Sequence, residues 1–252
     1  MIFKRAAVGA GVLAALVALA GCGDGGKTGG AAGSSPSATA ERLESATGGT
    51  ILAEGHKVFS KAASVKITGS EVESGDRTAF VLSVAENGDC AGTFDFGDSG
   101  RLEVLLGHGQ TLFKEDDRLL SKAGGDKAVA LGRGRWLRVK PGDAQEKVTS
   151  FCDLKSTPVF GDGDWYRQVL SEGTTTVNGR KVVSIMSISQ ANGSFDGYVA
   201  TDGPAHPVRV ETSRIDGTTD GLTMDFSDYD APVTVSLPAA DQIIDLDSLR
   251  QG

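Results

Sequence analysis

The chain has 252 residues, with 33 acidic against 25 basic side chains and a formal charge of −8. That length supports one sizeable domain with a large core. The acidic balance argues against nucleic acid as a partner, and against an electrostatic grip on anionic lipid. Three cysteines, three histidines and no metal-ligand spacing among them leave no metal or cofactor expectation.

At the N-terminus, Lys4 and Arg5 precede an uncharged apolar run from Ala6 to Ala20. This is the n-region and h-region pattern of an export signal, and it is short of the ~20 residues that span a bilayer. The stretch GCGDGGKT (21–28) matches the phosphate-binding pattern G-x-x-x-x-G-K-[ST]. Such a loop works only between a buried strand and a helix N-terminus. Here an export signal precedes it and GGAAGSSPSATA follows, so a phosphate site is rejected. Leu19-Ala20-Gly21-Cys22 instead resembles the lipobox of bacterial lipoproteins. The resemblance implies diacylglyceryl transfer to Cys22 and cleavage after Gly21. Residues 1–21 then form a lipoprotein signal peptide and 22–45 a flexible Gly/Ala/Ser tether, leaving 46–252 as one domain. The expected location is the extracytoplasmic face of the cell membrane, held through N-terminal acyl chains. Acylation of Cys22 leaves Cys90 and Cys152, which are expected to pair in an oxidising compartment.

From Thr50, TILAEGHKVFSKAAS puts Ile51, Leu52, Val58, Phe59 and Ala62 on one face at helical spacing, with Thr50 as a candidate cap. A helical turn over 40–46 precedes it, before a break at Gly48-Gly49. The period then changes to two. Strands are predicted at 64–72, 77–86, 92–96, 101–106 and 110–114, separated by ESGD, NGD, GDSG and GHG turns. Residues 115–131 predict one or two short helices, 133–140 a strand, and 143–151 and 164–171 helices. A second series of strands is predicted at 174–177, 180–189, 194–200, 206–215, 221–229 and 233–237, followed by a turn or short helix from Ala239. Strands joined by tight turns are antiparallel neighbours. The fold class is α+β: a large curved antiparallel sheet, a half-barrel of about 10–12 strands, wrapped around a few helices.

Motifs for catalysis are missing. His56, His108 and His206 share no spacing, and neither H-E-x-x-H, G-x-S-x-G nor S-x-x-K occurs. DGDW (162–165) lacks the ligand pattern of a calcium loop. Trp136 and Trp165 suit packing as well as ligand contact. The expectation is a protein that is not an enzyme. Alternation in the strands is more informative. Phe80, Leu82 and Val84 share one face, as do Phe94 and Phe96, and Leu102, Val104 and Leu106. So wide an apolar face must be covered, either by a dry core or around a ligand pocket. Val58, Phe80, Leu82, Phe94, Leu102, Val104 and Met224 are the candidates to line such a pocket.

Three segments carry a family resemblance: SVKITGSEV (64–72), Cys90-Ala91-Gly92-Thr93 with Gly100 and RLEVLLGHGQTLFK (101–114), and LTMDFSDYDAPVTVSLPAADQIIDL (222–246). The chain resembles actinobacterial lipoproteins of the LppX/LprG type, within the LolA/LolB-like lipoprotein-fold group. This implies a half-barrel around a central helix and an apolar cavity for an acylated lipid or glycolipid, with no catalytic residues. The other reading is a lipid-tethered protein-interaction module accessory to an envelope enzyme, transporter or sensor, its protein partner unknown. Ligand content separates the two.

Overall fold

The computed structural model describes residues 42–140, 146–155, 168–189, 193–214, 216 and 218–245. Cys22, the signal and most of the tether lie outside these residues, as do DGDW and Trp165. Residues 42–44 are helical, and Leu43 is buried. Helix α1 runs from Gly48 to Phe59. Its cap is Thr47 rather than Thr50: the Thr47 hydroxyl accepts from the Thr50 N–H at 3.3 Å. Gly48 and Gly49 open the helix instead of breaking the chain before it. Gly48, Ile51, Leu52, Gly55 and Phe59 form its buried stripe, one residue per turn or so.

The first strands follow the alternation closely: β1 (Ser64–Glu73), β2 (Asp76–Ala85), β3 (Cys90–Asp95), β4 (Arg101–Gly107) and β5 (Gln110–Glu115). Helix α2 (Asp117–Gly132) is two helical pieces joined at Gly124–Gly125, where Gly125 has φ +64°. Asp116 caps it, its Oδ1 accepting from the N–H groups of Arg118 and Leu119 at 3.1 and 3.0 Å. Strand β6 (Trp136–Val139) and the short helix α3 (Glu146–Ser150) come next. The second series is β7 (Val169–Val177), β8 (Arg180–Ser189), β9 (Gly193–Ala200), β10 (Pro207–Ser213) and β11 (Gly221–Ser227), and β12 (Ile243–Asp245) closes the chain.

All twelve strands form one open, curved sheet in the order β12-β6-β5-β4-β3-β2-β1-β11-β10-β9-β8-β7. Each series is a meander, and the pairing of β1 with β11 joins them at the centre. The sheet is antiparallel except where β12 lies parallel to β6. A long connection reaches β12, so the tight-turn argument for antiparallel pairing does not apply there. The inner face carries the main core, with α1 packed across β7 to β10.

Two further expectations are corrected. The helix predicted at 164–171 is not formed by its described end, where Val169, Leu170 and Ser171 pair with Ser187, Met186 and Ile185 of β8. The ten residues of β8 supply backbone partners beyond the TTTV run, and that pairing outweighs local helix preference. Residues 233–237 form no strand. Pro232 and Pro238 flank them, and Val235 is instead buried against Gly107 while its carbonyl oxygen accepts from His108 Nε2 at 3.3 Å.

Candidate functional site

Alternation places Phe80, Leu82 and Val84 of β2 on the inner face, beside Phe94 of β3 and Leu102 and Val104 of β4. Register sets Phe80 opposite Phe94 on one side and opposite Gly69 on the other. The glycine is required there. A Cβ on Gly69 would come within 2.6 Å of the Phe80 ring and 2.4 Å of the Thr223 carbonyl oxygen. The ring therefore lies over β1 instead of standing clear of it.

The Phe80 and Phe94 ring centroids are 5.7 Å apart. Phe151, just after α3, completes the group at 4.9 Å from Phe80 and 6.2 Å from Phe94, and Phe96 stacks on Phe94 at 6.3 Å. The next residue, Cys152, is disulfide-bonded to Cys90 at the start of β3, with the Cα atoms 5.5 Å apart. Both cysteines are buried. The bond thus holds Phe151 and Val148 over the inner face of β2 and β3, where those strands alone would leave Phe80 and Phe94 uncovered.

Between these groups is a half-open cavity of about 230 Å³. Its floor and walls are Phe80, Phe94, Phe96, Val148 and Phe151. Toward the β1–β2 hairpin the lining turns polar, with Thr78 and the carboxylates of Glu71, Glu73 and Asp76. Glu73 and Asp76 are exposed, which puts the mouth at the hairpin end.

Of the seven candidate lining residues, the structure brings Phe80 and Phe94 to this cavity. Leu82, Leu102, Val104 and Met224 are buried in the packed core beside it, and Val58 is half-buried against that core. Phe96, Val148, Phe151 and the three acids were missed. Cys152 was the signal for Phe151, since its partner lies on the inner face. The acids were legible too: the face of β1 that carries Val65 and Ile67 continues, two residues at a time, to Glu71 and Glu73.

The histidines lie apart. His56 is on α1, and His108 is in the β4–β5 turn with φ +52°. His206 stacks on Tyr229 at 4.1 Å, and the Tyr229 hydroxyl donates to the Pro207 carbonyl oxygen at 2.7 Å. Burial, then the Arg180 charge, pushes the His206 imidazole below its ordinary value, and burial raises the Tyr229 phenol well up. Tyr229 in turn packs edge-on against Phe59 at the end of α1, at the margin of the core. Trp136 is half-buried on β6 beneath Lys114, 5.7 Å from its ring. Among the described residues no three His, Cys, Asp or Glu side chains gather as a metal site.

The architecture that holds this cavity is an open antiparallel half-barrel with helices on its inner face, the LppX/LprG-type lipoprotein fold. The particular likeness is to LprF from Mycobacterium bovis, at 16% identity, covering 82% of this chain and 100% of LprF with a TM-score of 0.52. The lipoprotein LppX of Mycobacterium tuberculosis aligns at 16% identity over 74% of this chain and 98% of LppX, with a TM-score of 0.49. No protein-family model matches the chain, and no curated protein matches it significantly. At such identity the likeness is one of fold.

Proposed function

We propose that the chain is a lipid-anchored extracytoplasmic lipoprotein that binds or carries an acylated lipid or glycolipid and catalyses no reaction. The observation that carries this reading is the phenylalanine-lined cavity on the inner face of the sheet. Its volume is below the ~300–1,000 Å³ of drug-sized ligand sites, yet a dry apolar cavity of ~150 Å³ already accepts a benzene-sized guest. It therefore suits the end of an alkyl chain. Deeper entry displaces core side chains, and the nearest are Leu82, Leu102, Val104 and Met224, with Val58 on α1. Binding draws on apolar surface removed from water, at ~25 cal/mol per Å². The anchor is Cys22; palmitate label that persists in Cys22→Ala would remove it from this reading.

The deciding experiment is native mass spectrometry of the chain purified from its own membranes in mild detergent, with organic extraction alongside. The expected result is a defined extra mass that extracts as lipid and is diminished in Phe151→Ala. Acylated protein with no further mass favours the alternative, a tethered interaction module. One observation speaks for that alternative. Leu170 and Ile188 are 59% and 57% exposed at the β7 edge of the sheet, and Leu170 pairs directly with Met186.

A further inference from the structure

We propose that the cavity seats one alkyl chain to a fixed depth, so that the protein selects single-chain lipids by length, up to about nine carbons. This rests on the cavity reading above and adds the number and length of the chains accepted. Two glycines set the depth. On β1, Gly69 leaves room for the Phe80 ring, and on β3, Gly92 leaves room for Leu82. A Cβ on Gly92 would lie 2.7 Å from Leu82 Cδ2, so Leu82 lies across β3 as Phe80 lies across β1. Register puts Gly92 between Leu82 of β2 and Val104 of β4, and both side chains are fully buried. The layer next inward from Phe80 and Phe94 is therefore closed, while Phe151 covers those rings from above.

Volume turns that depth into a chain length. An apolar cavity of ~150 Å³ holds benzene, a guest of six carbons. In proportion, about 230 Å³ holds about nine carbons of one chain. Part of the space lies beside Thr78 at the hairpin end, so this figure is a ceiling. Each methylene that enters strengthens binding about fourfold, the ratio that ~0.8 kcal/mol per buried CH₂ gives. A methylene beyond the ceiling stays outside and adds little. Two chains sharing the space would bury about half as many carbons each and would immobilise more rotatable bonds for the same apolar contact. Making room for a longer chain means displacing Leu82 or Val104 from a close-packed layer.

The test titrates the full mature chain in phosphatidylcholine nanodiscs, with protein-free nanodiscs as the blank and affinities referred to free ligand in water. The probes are hexyl, octyl, nonyl, decyl and dodecyl glucosides, which share one head. Affinity is expected to rise about fourfold per methylene up to the nonyl chain and by less than about twofold per methylene beyond it. Dioctanoylglycerol should bind within about tenfold of monooctanoylglycerol, because only one of its chains enters. Val148→Phe fills space from α3 and should move the break to a shorter chain while hexyl glucoside still binds, which also shows that the variant is folded. Leu82→Ala opens the closed layer and should move the break to a longer chain. Fourfold steps that continue to dodecyl glucoside, or a break that neither variant moves, overturn the length limit and leave the cavity reading standing. A larger gain from the second chain overturns the single-chain limit in the same way. If no glucoside binds, the cavity reading fails and this inference fails with it.

Discussion

Asp196 shows how single side chains on the outer face trade stability for charge. It stands directly opposite Glu211 across β9 and β10. Burial, followed by the charges of Glu172 and Glu211, raises its carboxyl above the ordinary carboxylate value. A raised carboxyl holds its proton more readily in the folded chain than in the unfolded one. The ionised form is thus penalised at neutral pH, and the penalty is relieved as pH falls through the raised value. Asp196→Asn should accordingly raise the Tm at pH 7 by about 1 °C, screening included, with the gain fading in acid. Thermal scans at several pH values check this, and a gain that stays constant with pH would refute the electrostatic cause. Nearby, Arg209 holds Asp225 through Nε and Nη2 at 2.7 and 3.0 Å, and Asn178 Nδ2 donates to the same carboxylate at 2.7 Å. That network spans the β7–β8 turn, β10 and β11, and ties the second meander together on its solvent side.

Two elements lean on contacts that local propensity does not reveal. Helix α1 meets β7 through Gly48, whose added Cβ would lie 2.4 Å from the Val169 carbonyl oxygen. Alanine is the better helix former by ~1 kcal/mol, yet here it collides with backbone. Gly48→Ala is expected to destabilise the fold by about 1–3 kcal/mol in urea unfolding, the opposite sign to an exposed helix position. The second element is α3 with Phe151. Its attachment is the Cys90–Cys152 bond, which spans 62 residues of sequence. Loss of the bond through Cys90→Ser/Cys152→Ser should cost about 4 kcal/mol in the chain-entropy model. Because Phe151 forms one wall of the cavity, the proposed alkyl-chain binding should also be shorter-lived in the same variant. Unfolding and off-rate are separate readouts. A variant that loses stability but not retention would show that Phe151 stays seated without the bond.

At the scale of the molecule, the sheet has a centre and two ends. The centre is β1 against β11, flanked by β2 and β10, and it pairs Lys66 near the start of the domain with Ser227 near its end. Opening it requires both meanders to part. The ends are β7, largely exposed along its length, and the three-residue β12. Amide hydrogen exchange should be slowest in Val65–Ile67 and Met224–Phe226 and fastest in Thr174–Thr176 and Ile243–Asp245. Fast exchange at the centre would mean that the meanders open independently. The cavity lies on the β2–β3 side of this centre and α1 on the β7–β10 side, so the two halves of the inner face are filled differently. One half is closed by a helix seated through Gly48. The other is closed by an aromatic wall pinned by a disulfide.

Period-two alternation was legible wherever one face is buried: Phe80, Leu82 and Val84 could face inward only together, and turn residues such as Asn178-Gly179 marked where each strand ends. The cysteine count likewise pointed to the Cys90–Cys152 pair. These features are local, or follow from composition, so the chain carries them wherever it is read. Strand order, the parallel β12, the conversion of 169–171 from expected helix to strand, and the failure of 233–237 to form a strand were decided by partners distant in sequence. Backbone groups take the best partner available in space, and a short segment does not specify that partner. The cavity was decided in the same way. Alternation put the phenylalanines on one face, but only the packing of Phe151 against them turned that face into a pocket.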